Sequence, residues 1–294
     1  MWVFRSASAD GPYEPVVDAF RLSGGGGEHD SYEFGALAAW CRGRNGEHLV
    51  SQYMTTKGMG RSDVWMLPLR KPVVSVHGTL HLEYWEGNEP ITRGPAVRVP
   101  SEASVRCSDN GFEGAQLEVG WLAALNALQH DIGAVLTAQI ESAHGVGALG
   151  LALEDVSGGG ELVANGTASS EVNFTAVLVD LAAPSTATAS TVVRRSGTST
   201  VVLDRSGSFI CGEHHTTCGV ATLTAVEPGA VGGSVRLFFR KGMWELYVNN
   251  QLVQTHIYGH ASPLPAAGEG RVGLVCSGHA DVKLANIAIH ALVP

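Results

Sequence analysis

The fold of this chain is decided near its C-terminal end by the stretch SVRLFFRKGMWELYVNN, residues 234–250. Apolar side chains recur there at every second position, in two runs: Val235, Leu237 and Phe239, then Trp244, Leu246 and Val248. Strict period two indicates half-buried antiparallel strands. Lys241-Gly242 and Asn249-Asn250 interrupt the pattern, and Gly and Asn tolerate the positive φ of hairpin turns. We therefore predict a three-stranded meander over residues 234–258 with these apolar side chains facing a core.

Strand patterns continue on both sides of the meander. They cover residues 134–141, 147–154, 175–181, 271–276 and 281–291. Several short strands separated by turn signals are typical of a two-sheet sandwich. We predict an all-β chain with a two-sheet, concanavalin-like β-sandwich over residues 132–294.

The first 99 residues have a different pattern, which resembles part of a β-propeller. Strands are predicted near Trp2–Ser6, Gly35–Cys41, His48–Tyr53, Val73–Val76 and Thr79–Trp85. Four of them make about one propeller blade, and the first is a spare strand. One blade cannot close a propeller and leaves sheet edges exposed. We expect residues 1–99 to pack against the sandwich, another protein chain or a missing N-terminal propeller region.

Residues 100–131 connect the two parts. Within Phe112–Gln129, apolar residues partly follow the spacing of a helix face: Leu117, Trp121, Leu122, Leu125 and Leu128. This segment is predicted to be a packed linker, with a short helix as one interpretation.

Composition excludes several classes of protein. Net charge is −9, charged residues make up 16% of the chain, and no Lys/Arg cluster occurs, so nucleic acid is not an expected partner. No apolar run reaches the ~18 residues of a membrane span, and the first residues do not resemble a secretory signal. The cysteines number five at wide spacing, which does not predict a disulfide framework. The compartment is left open.

Three local runs carry a family resemblance. Residues 5–15 resemble the strand and turn of a propeller blade in sugar-cleaving enzymes, and Trp65–Pro72 followed by Gly78–Leu80 resembles the closing blade of glycoside hydrolase family 32. Arg236–Tyr258 with Gly270–Leu274 resembles the C-terminal sandwich of the same group. The resemblance implies a five-bladed propeller followed by a β-sandwich, in enzymes that cleave or transfer fructose units with retention.

The catalytic motifs of that family are absent from this sequence. No Trp-x-Asn-Asp-Pro, Arg-Asp-Pro or Glu-Cys motif occurs, and Arg106-Cys107 and Glu213-His214 do not replace them. A retaining glycosidase needs two carboxyl groups about 5 Å apart. We therefore expect no catalytic residues and no cofactor, and no hydrolysis of sucrose, fructans or aryl glycosides by the isolated chain.

Two residue clusters are candidate binding sites. Cys211, His214, His215 and Cys218 provide ligand types that suit zinc. A plain loop is the favoured interpretation of that run, and a Cys211–Cys218 disulfide is another. The second cluster comprises Trp40, Trp65 and Trp85, whose rings would stack on sugars, although core or interface packing is the commoner role.

Three functions remain open. The favoured one is a non-catalytic, glycosidase-derived module that acts by association, as a subunit of a larger assembly. The second is the C-terminal part of a family 32-type glycoside hydrolase (fructosidase-like) whose catalytic residues lie on another segment or chain. The third is a carbohydrate-binding, lectin-like module.

Overall fold

A computed structural model provides the structure of the protein. It describes residues 4–15, 25–27, 32–33, 38–56, 64–66, 68–74, 80–107, 118–124, 133–154, 174–180, 189–195, 198–203, 233–240, 243–257 and 271–293.

The described residues form β-strands almost throughout, which confirms the prediction of an all-β chain. The strands of the N-terminal part are β1 (Phe4–Arg5), β2 (Glu14–Pro15), β3 (Gly25–Gly27), β4 (Tyr32–Glu33), β5 (Ala38–Arg42), β6 (His48–Thr56), β7 (Val64–Met66), β8 (Arg70–Val74) and β9 (Leu80–Tyr84). A 3₁₀ helix, η1 (Glu86–Thr92), follows. The remaining strands are β10 (Ala96–Val97), β11 (Glu102–Cys107), β12 (Glu118–Ala124), β13 (Ala134–Glu154), β14 (Phe174–Asp180), β15 (Ala189–Arg195), β16 (Thr198–Leu203), β17 (Gly233–Arg240), β18 (Met243–Val248), β19 (Gln251–Ile257) and β20 (Arg271–Ala291).

Two long strands, β13 and β20, form the spine of the fold. They pair antiparallel from Ala134 opposite Ala291 to Leu153 opposite Val272. A straight strand of this length would separate Leu136 from Leu151 by about 50 Å, yet both side chains belong to one hydrophobic core. The two strands therefore bend, and each contributes to two sheets. Register shifts in β13 and the positive φ of 71° at Gly278 accompany this bend.

The bent pair gives the sandwich its two sheets. In the first sheet, β13 pairs with β17, which continues through β18 to β19, while β10 and β11 pair with the C-terminal half of β20. In the second sheet, β13 pairs with β14, which continues through β15 to β16, while β12 pairs with the other half of β20. Side chains of both sheets meet in a single core, so the β-sandwich prediction is confirmed.

The meander lies in the first sheet, and its described apolar side chains face the core as the period-two pattern predicted. Leu237, Phe239, Leu246 and Val248 are buried in the core. The backbone of Trp244 pairs with Phe239, but its side chain lies outside the part of the chain that the structure describes. Its inward orientation remains a prediction.

The interpretation of the connecting segment as a helix is wrong for residues 118–124, which form strand β12. This strand pairs with the Arg271–Cys276 edge of β20, with a bulge between Trp121 and Ala123. Pairing satisfies backbone groups of both strands, and this tertiary hydrogen bonding outweighs a weak helical spacing. The other residues of the proposed helix lie outside the described ranges.

The N-terminal strands extend the first sheet rather than standing apart from it. β5, β6, β8 and β9 pair in that order, and Glu83 of β9 lies opposite Gln251 of β19. The amide of Tyr84 also donates to the carbonyl of Asn250 at 2.8 Å. Among the described strands, the N-terminal segment therefore pairs with the sandwich. The propeller-like interpretation of residues 1–99 and the boundaries at 99 and 131 remain predictions.

The predicted spare strand pairs within its own chain. Phe4 lies opposite Pro15 and Arg5 opposite Glu14, in a two-stranded sheet separate from the main one. Phe4 and Tyr13 are both more than half exposed. This hairpin has no pairing with the rest of the described strands.

The cysteine spacing did not predict the disulfide that the structure shows, which joins Cys107 and Cys276. They lie 169 residues apart in the sequence, with their Cα atoms 5.9 Å apart. β11 and β12 pair with the same edge of β20, which brings the end of β11 to Cys276. Cys41 is exposed and not bonded, and Cys211 and Cys218 lie outside the described residues. Among the helices of the described part, none is long and apolar enough to cross a membrane.

Candidate functional site

The tryptophans proposed to stack on sugars do not share one surface. Trp40 on β5 is 55% exposed and lies opposite Val50, on the face that also carries Arg70 and Tyr84 in the next strands. Trp85 follows Tyr84 in an extended conformation, so its side chain leaves the sheet on the other side. Its indole Nε1 donates to Glu47 Oε1 at 3.1 Å.

The remaining predicted site residues are Trp65 and the run from Cys211 to Cys218. Trp65 lies on β7 opposite Met54, and its side chain is not among those described. Cys211, His214, His215 and Cys218 lie outside the described ranges, so the zinc hypothesis remains a prediction. Among the residues that the structure describes, no group of three or more His, Cys, Asp or Glu side chains is placed to hold a metal ion.

A candidate site lies instead on the outer face of the first sheet, defined as the side of β13, β17, β18 and the C-terminal half of β20 that faces away from the core. Alternation along these strands places Arg236, Glu245 and Tyr247 on this face. Glu245 and Tyr247 are fully buried there. The side of the meander that looked solvent-exposed in the sequence is thus covered.

The cover is provided by Arg70 from β8. Its guanidinium forms an ion pair with Glu245, and both side chains are 0% exposed. The hydroxyl of Tyr247 donates to the other carboxylate oxygen of Glu245 at 2.6 Å. A flat sheet would hold β8 about 14 Å from β18, so the sheet must curl over its own outer face.

Burial and the ion pair shift the pKa values of Arg70 and Tyr247. Burial by itself would lower the pKa of Arg70, but the negative charge of Glu245 and the hydrogen bond to it raise that pKa. Burial, followed by the Glu245 carboxylate, raises the pKa of Tyr247 well above its ordinary value. Both shifts favour the protonated forms of Arg70 and Tyr247, which are the forms that donate to Glu245.

An aromatic contact connects this buried cluster to the surface. The ring of Tyr84 meets Tyr247 edge-on, with centroids 5.5 Å apart. The guanidinium of Arg236 lies over the Tyr84 ring, 3.5 Å from its centroid. Arg236 Nη2 also pairs with Glu89 Oε1 of η1 at 3.1 Å. Arg236 is thereby held in one position between a ring and a carboxylate.

Beside Arg236 the outer face opens into a cleft of about 720 Å³ between η1, the segment that follows it, and the sheet. We call this space the cleft. Its lining is formed by Glu89, Thr92, Arg93, Gly94, Ala96, Val135, Thr137, Arg236 and His290. Its volume falls within the roughly 300–1,000 Å³ typical of ligand sites.

Hydrogen bonds fix the rim of the cleft. The buried Thr92 hydroxyl donates to the carbonyl of Glu89 at 3.0 Å, which holds the end of η1. The amide of Gly94 donates to the carbonyl of Ala291 at 3.0 Å. His290 Nδ1 lies 3.2 Å from the carbonyl of Gly94. The segment after η1 is thus attached along the end of β20.

Gly94 is required by this close approach. A Cβ at this position would lie 2.2 Å from the carbonyl oxygen of Ala291, which is backbone and cannot rotate away. We expect Gly94→Ala to lower the free energy of unfolding by about 1–3 kcal/mol, as overpacking does. Urea denaturation measures the change, with Ser104→Ala on the exposed side of β11 as the control. Equal stability of the two variants would mean that this segment is loosely attached.

The polar groups of the cleft are mainly hydrogen-bonding groups. Among the described residues, its lining contains one carboxylate, Glu89, which is paired with Arg236. Retaining hydrolysis needs two carboxyl groups about 5 Å apart, and the described part of the lining contains no second one. Guanidinium, imidazole and hydroxyl groups supply the remaining polar atoms.

The residues of this site were not predicted from the sequence. Arg236 and Glu245 occupied the polar positions of a period-two pattern, which is normally the solvent side. The available signal was Tyr247, an aromatic residue on that same side of β18. Arg70 lies within the run Trp65–Pro72, which carried the family resemblance without indicating a role for this arginine.

Comparisons with known proteins find distant structural similarity and no match to a family model. No protein-family model matches it, and no curated protein matches it. Among solved structures, the carbohydrate recognition domain of Emp46p has a TM-score of 0.37 and 11% identity, covering 61% of this chain and 80% of that chain. A xylan β-1,4-xylosidase from Bacillus halodurans has a TM-score of 0.33 and 11% identity, covering 96% of this chain and 59% of that one. The carbohydrate-binding module CBM66 from Bacillus subtilis has a TM-score of 0.29 and 9% identity, covering 90% and 98%. At TM-scores this low, the activities and ligands named for those proteins apply to those proteins alone.

Proposed function

We propose that this chain is a non-catalytic, glycosidase-derived β-sandwich module that acts by association, with a glycan as the ligand of the cleft. The observation that carries the proposal is the composition of the lining, in which one paired carboxylate stands among several hydrogen-bonding groups. Glycans present many hydroxyls, which such groups recognise by donating and accepting hydrogen bonds. The family 32 resemblance of the sequence supports a glycosidase origin without restoring the catalytic motifs.

Rigid placement of the lining supports binding as its purpose. Arg236 is fixed between Tyr84 and Glu89, and His290 contacts the carbonyl of Gly94. Groups that are already ordered lose little conformational entropy when a ligand arrives. The cleft therefore has the preorganisation that a specific site needs.

Ala96 provides a direct test, because it lines the cleft from an exposed position on β10. We expect the purified chain to bind members of a glycan array, and Ala96→Trp to weaken that binding at least about tenfold by filling the space. Ser104→Trp, exposed on β11 away from the lining, is the matched control and should bind normally. Glycan binding that is equal in both variants would place the site elsewhere.

The same preparations test the absence of catalysis. Incubation with sucrose, fructans and aryl glycosides should release no sugar. Turnover that disappears on mutation of a single Asp or Glu would revive the enzyme interpretation.

One observation favours the second candidate, the C-terminal part of a family 32-type hydrolase. The residue-level pairing of strand β5 in the described part of the chain is with β6, and Trp40 is exposed on the same face as buried Val50. A second strand edge without a partner among the described residues could receive a propeller region or another chain. The intact mass of the native protein, with light scattering of the purified chain, distinguishes the two. A longer native chain, or a co-purifying protein that keeps this one from aggregating, favours the second candidate.

A further inference from the structure

We propose that the ligand of the cleft carries a carboxylate, as a uronic acid unit of an acidic glycan does, and that Arg236 and Arg93 receive it. This inference rests on the proposed function, because it specifies the class of glycan that the cleft would bind.

Charge is the first argument. The chain has 19 Lys and Arg against 28 Asp and Glu. The described lining reverses this balance, with two arginines against one carboxylate. A local positive site on an acidic protein attracts anions selectively, because the surrounding negative charge repels them elsewhere. A neutral sugar would gain no charge–charge attraction from this arrangement.

The second argument is the unused capacity of Arg236. One terminal nitrogen, Nη2, donates to Glu89. The other, Nη1, is buried and has no hydrogen-bond partner among the described residues. A buried donor without a partner is unfavourable. Because solvent does not reach Nη1, a ligand that accepts its proton has to draw the guanidinium toward the cleft, and satisfying this donor favours that shift.

Geometry selects a carboxylate as that ligand. The guanidinium is planar, and its parallel N–H groups match the two oxygens of a carboxylate. The Tyr84 ring beneath Arg236 holds the guanidinium plane in place. The carboxylate of Glu89 already binds Arg236, with Oε1 of Glu89 3.1 Å from Nη2 of Arg236. A ligand carboxylate would share Arg236 with Glu89 and take its second charge contact from the exposed Arg93.

The other lining groups favour a sugar acid over an acidic peptide. Thr137 and the ring of His290 lie beside Arg236 on the outer face, where they can hydrogen-bond to ring hydroxyls. An extended peptide would instead seek an unpaired strand edge. The edge of β20 that borders the cleft is already occupied by β10.

Calorimetric titration of the full chain tests the inference with three matched ligands: trigalacturonate, its methyl ester and neutral galactotriose. The acid should bind at least about tenfold more tightly than the ester, which masks only the charge. Added salt should reduce this difference, because Arg93 is exposed. Equal affinity of acid and ester would overturn the inference.

Two substitutions at the ion pair should act in opposite directions. Arg236→Gln should weaken trigalacturonate binding about tenfold or more, since it removes the charged donor. Glu89→Gln should strengthen it several-fold, about the effect of removing one competing charge. Arg106→Gln, an exposed arginine on β11 outside the cleft, is the control and should change nothing. A purely structural role of the pair would make both substitutions weaken binding, which would contradict the proposal.

The outcomes separate this inference from the proposed function. Binding of the neutral sugar or the ester that is lost in Ala96→Trp would keep the glycan site and refute the carboxylate. Absence of all sugar binding would refute both. Tighter binding of an acidic peptide than of trigalacturonate would also refute the inference. Thermal melts of each variant confirm that the binding measurements report on folded protein.

Discussion

Replacement of Arg70 by methionine should lower the free energy of unfolding by about 3–5 kcal/mol, the effect of breaking a buried ion pair. Arg70 and Glu245 are both 0% exposed. The variant would remove the guanidinium that pairs with the buried carboxylate of Glu245, while the hydrogen bond from Tyr247 would remain. The loss would arise mainly from the missing ion pair, since methionine fills much of the volume of the arginine stem.

A second substitution shows whether the charge is responsible. Glu245→Gln in the Arg70→Met background removes the carboxylate charge and should recover part of the lost stability. Arg106→Met breaks the ion pair of Arg106 with Asp281, whose side chains are 77% and 42% exposed, and should cost less than about 1 kcal/mol. Urea denaturation measures all three variants. A loss below about 1 kcal/mol for Arg70→Met would mean that water reaches the pair.

This interaction shows why the sequence predicted one side of the meander and not the other. The period-two pattern of residues 234–250 correctly placed Leu237, Phe239, Leu246 and Val248 in the core. The same pattern predicted that Glu245 faces solvent. Its partner Arg70 lies 175 residues away in the sequence. Local periodicity identifies the face of a strand that packs on the core. It contains no information about a distant segment that covers the opposite face.

The cleft was missed for a related reason. Trp40, Trp65 and Trp85 were chosen by residue type, because aromatic rings stack on sugars. Glu89, Arg236 and His290 belong to three distant segments. The pairing of β13 with both β17 and β20 brings Arg236 near His290, and Glu89 reaches Arg236 from η1. No spacing in the sequence indicates that proximity. The overall β architecture could be predicted, whereas a site assembled from separate strands could not.

Removal of the Cys107–Cys276 disulfide should have an effect of similar size. The bond closes a loop of 169 residues, and restriction of the unfolded chain by so long a loop stabilises the fold by up to about 5 kcal/mol, with 2–4 kcal/mol typical. Both cysteines are buried, at 6% and 0% exposure, so reductants reach the bond only when the sandwich opens. Buried bonds of this kind are typical of proteins that mature in an oxidising compartment.

The double variant Cys107→Ala and Cys276→Ala should therefore melt roughly 5–15 °C lower than the parent protein, at about 2–4 °C per kcal/mol for a chain of this size. Cys41→Ser is the matched control, because Cys41 is exposed and unbonded, and its melting temperature should not change. Alkylation of the denatured, unreduced protein should label Cys41 and leave Cys107 and Cys276 unlabelled. Labelling of both core cysteines without prior reduction would contradict the bond. In that case the two thiols would pack as small apolar side chains, and the double variant would lose only the packing of two sulfur atoms.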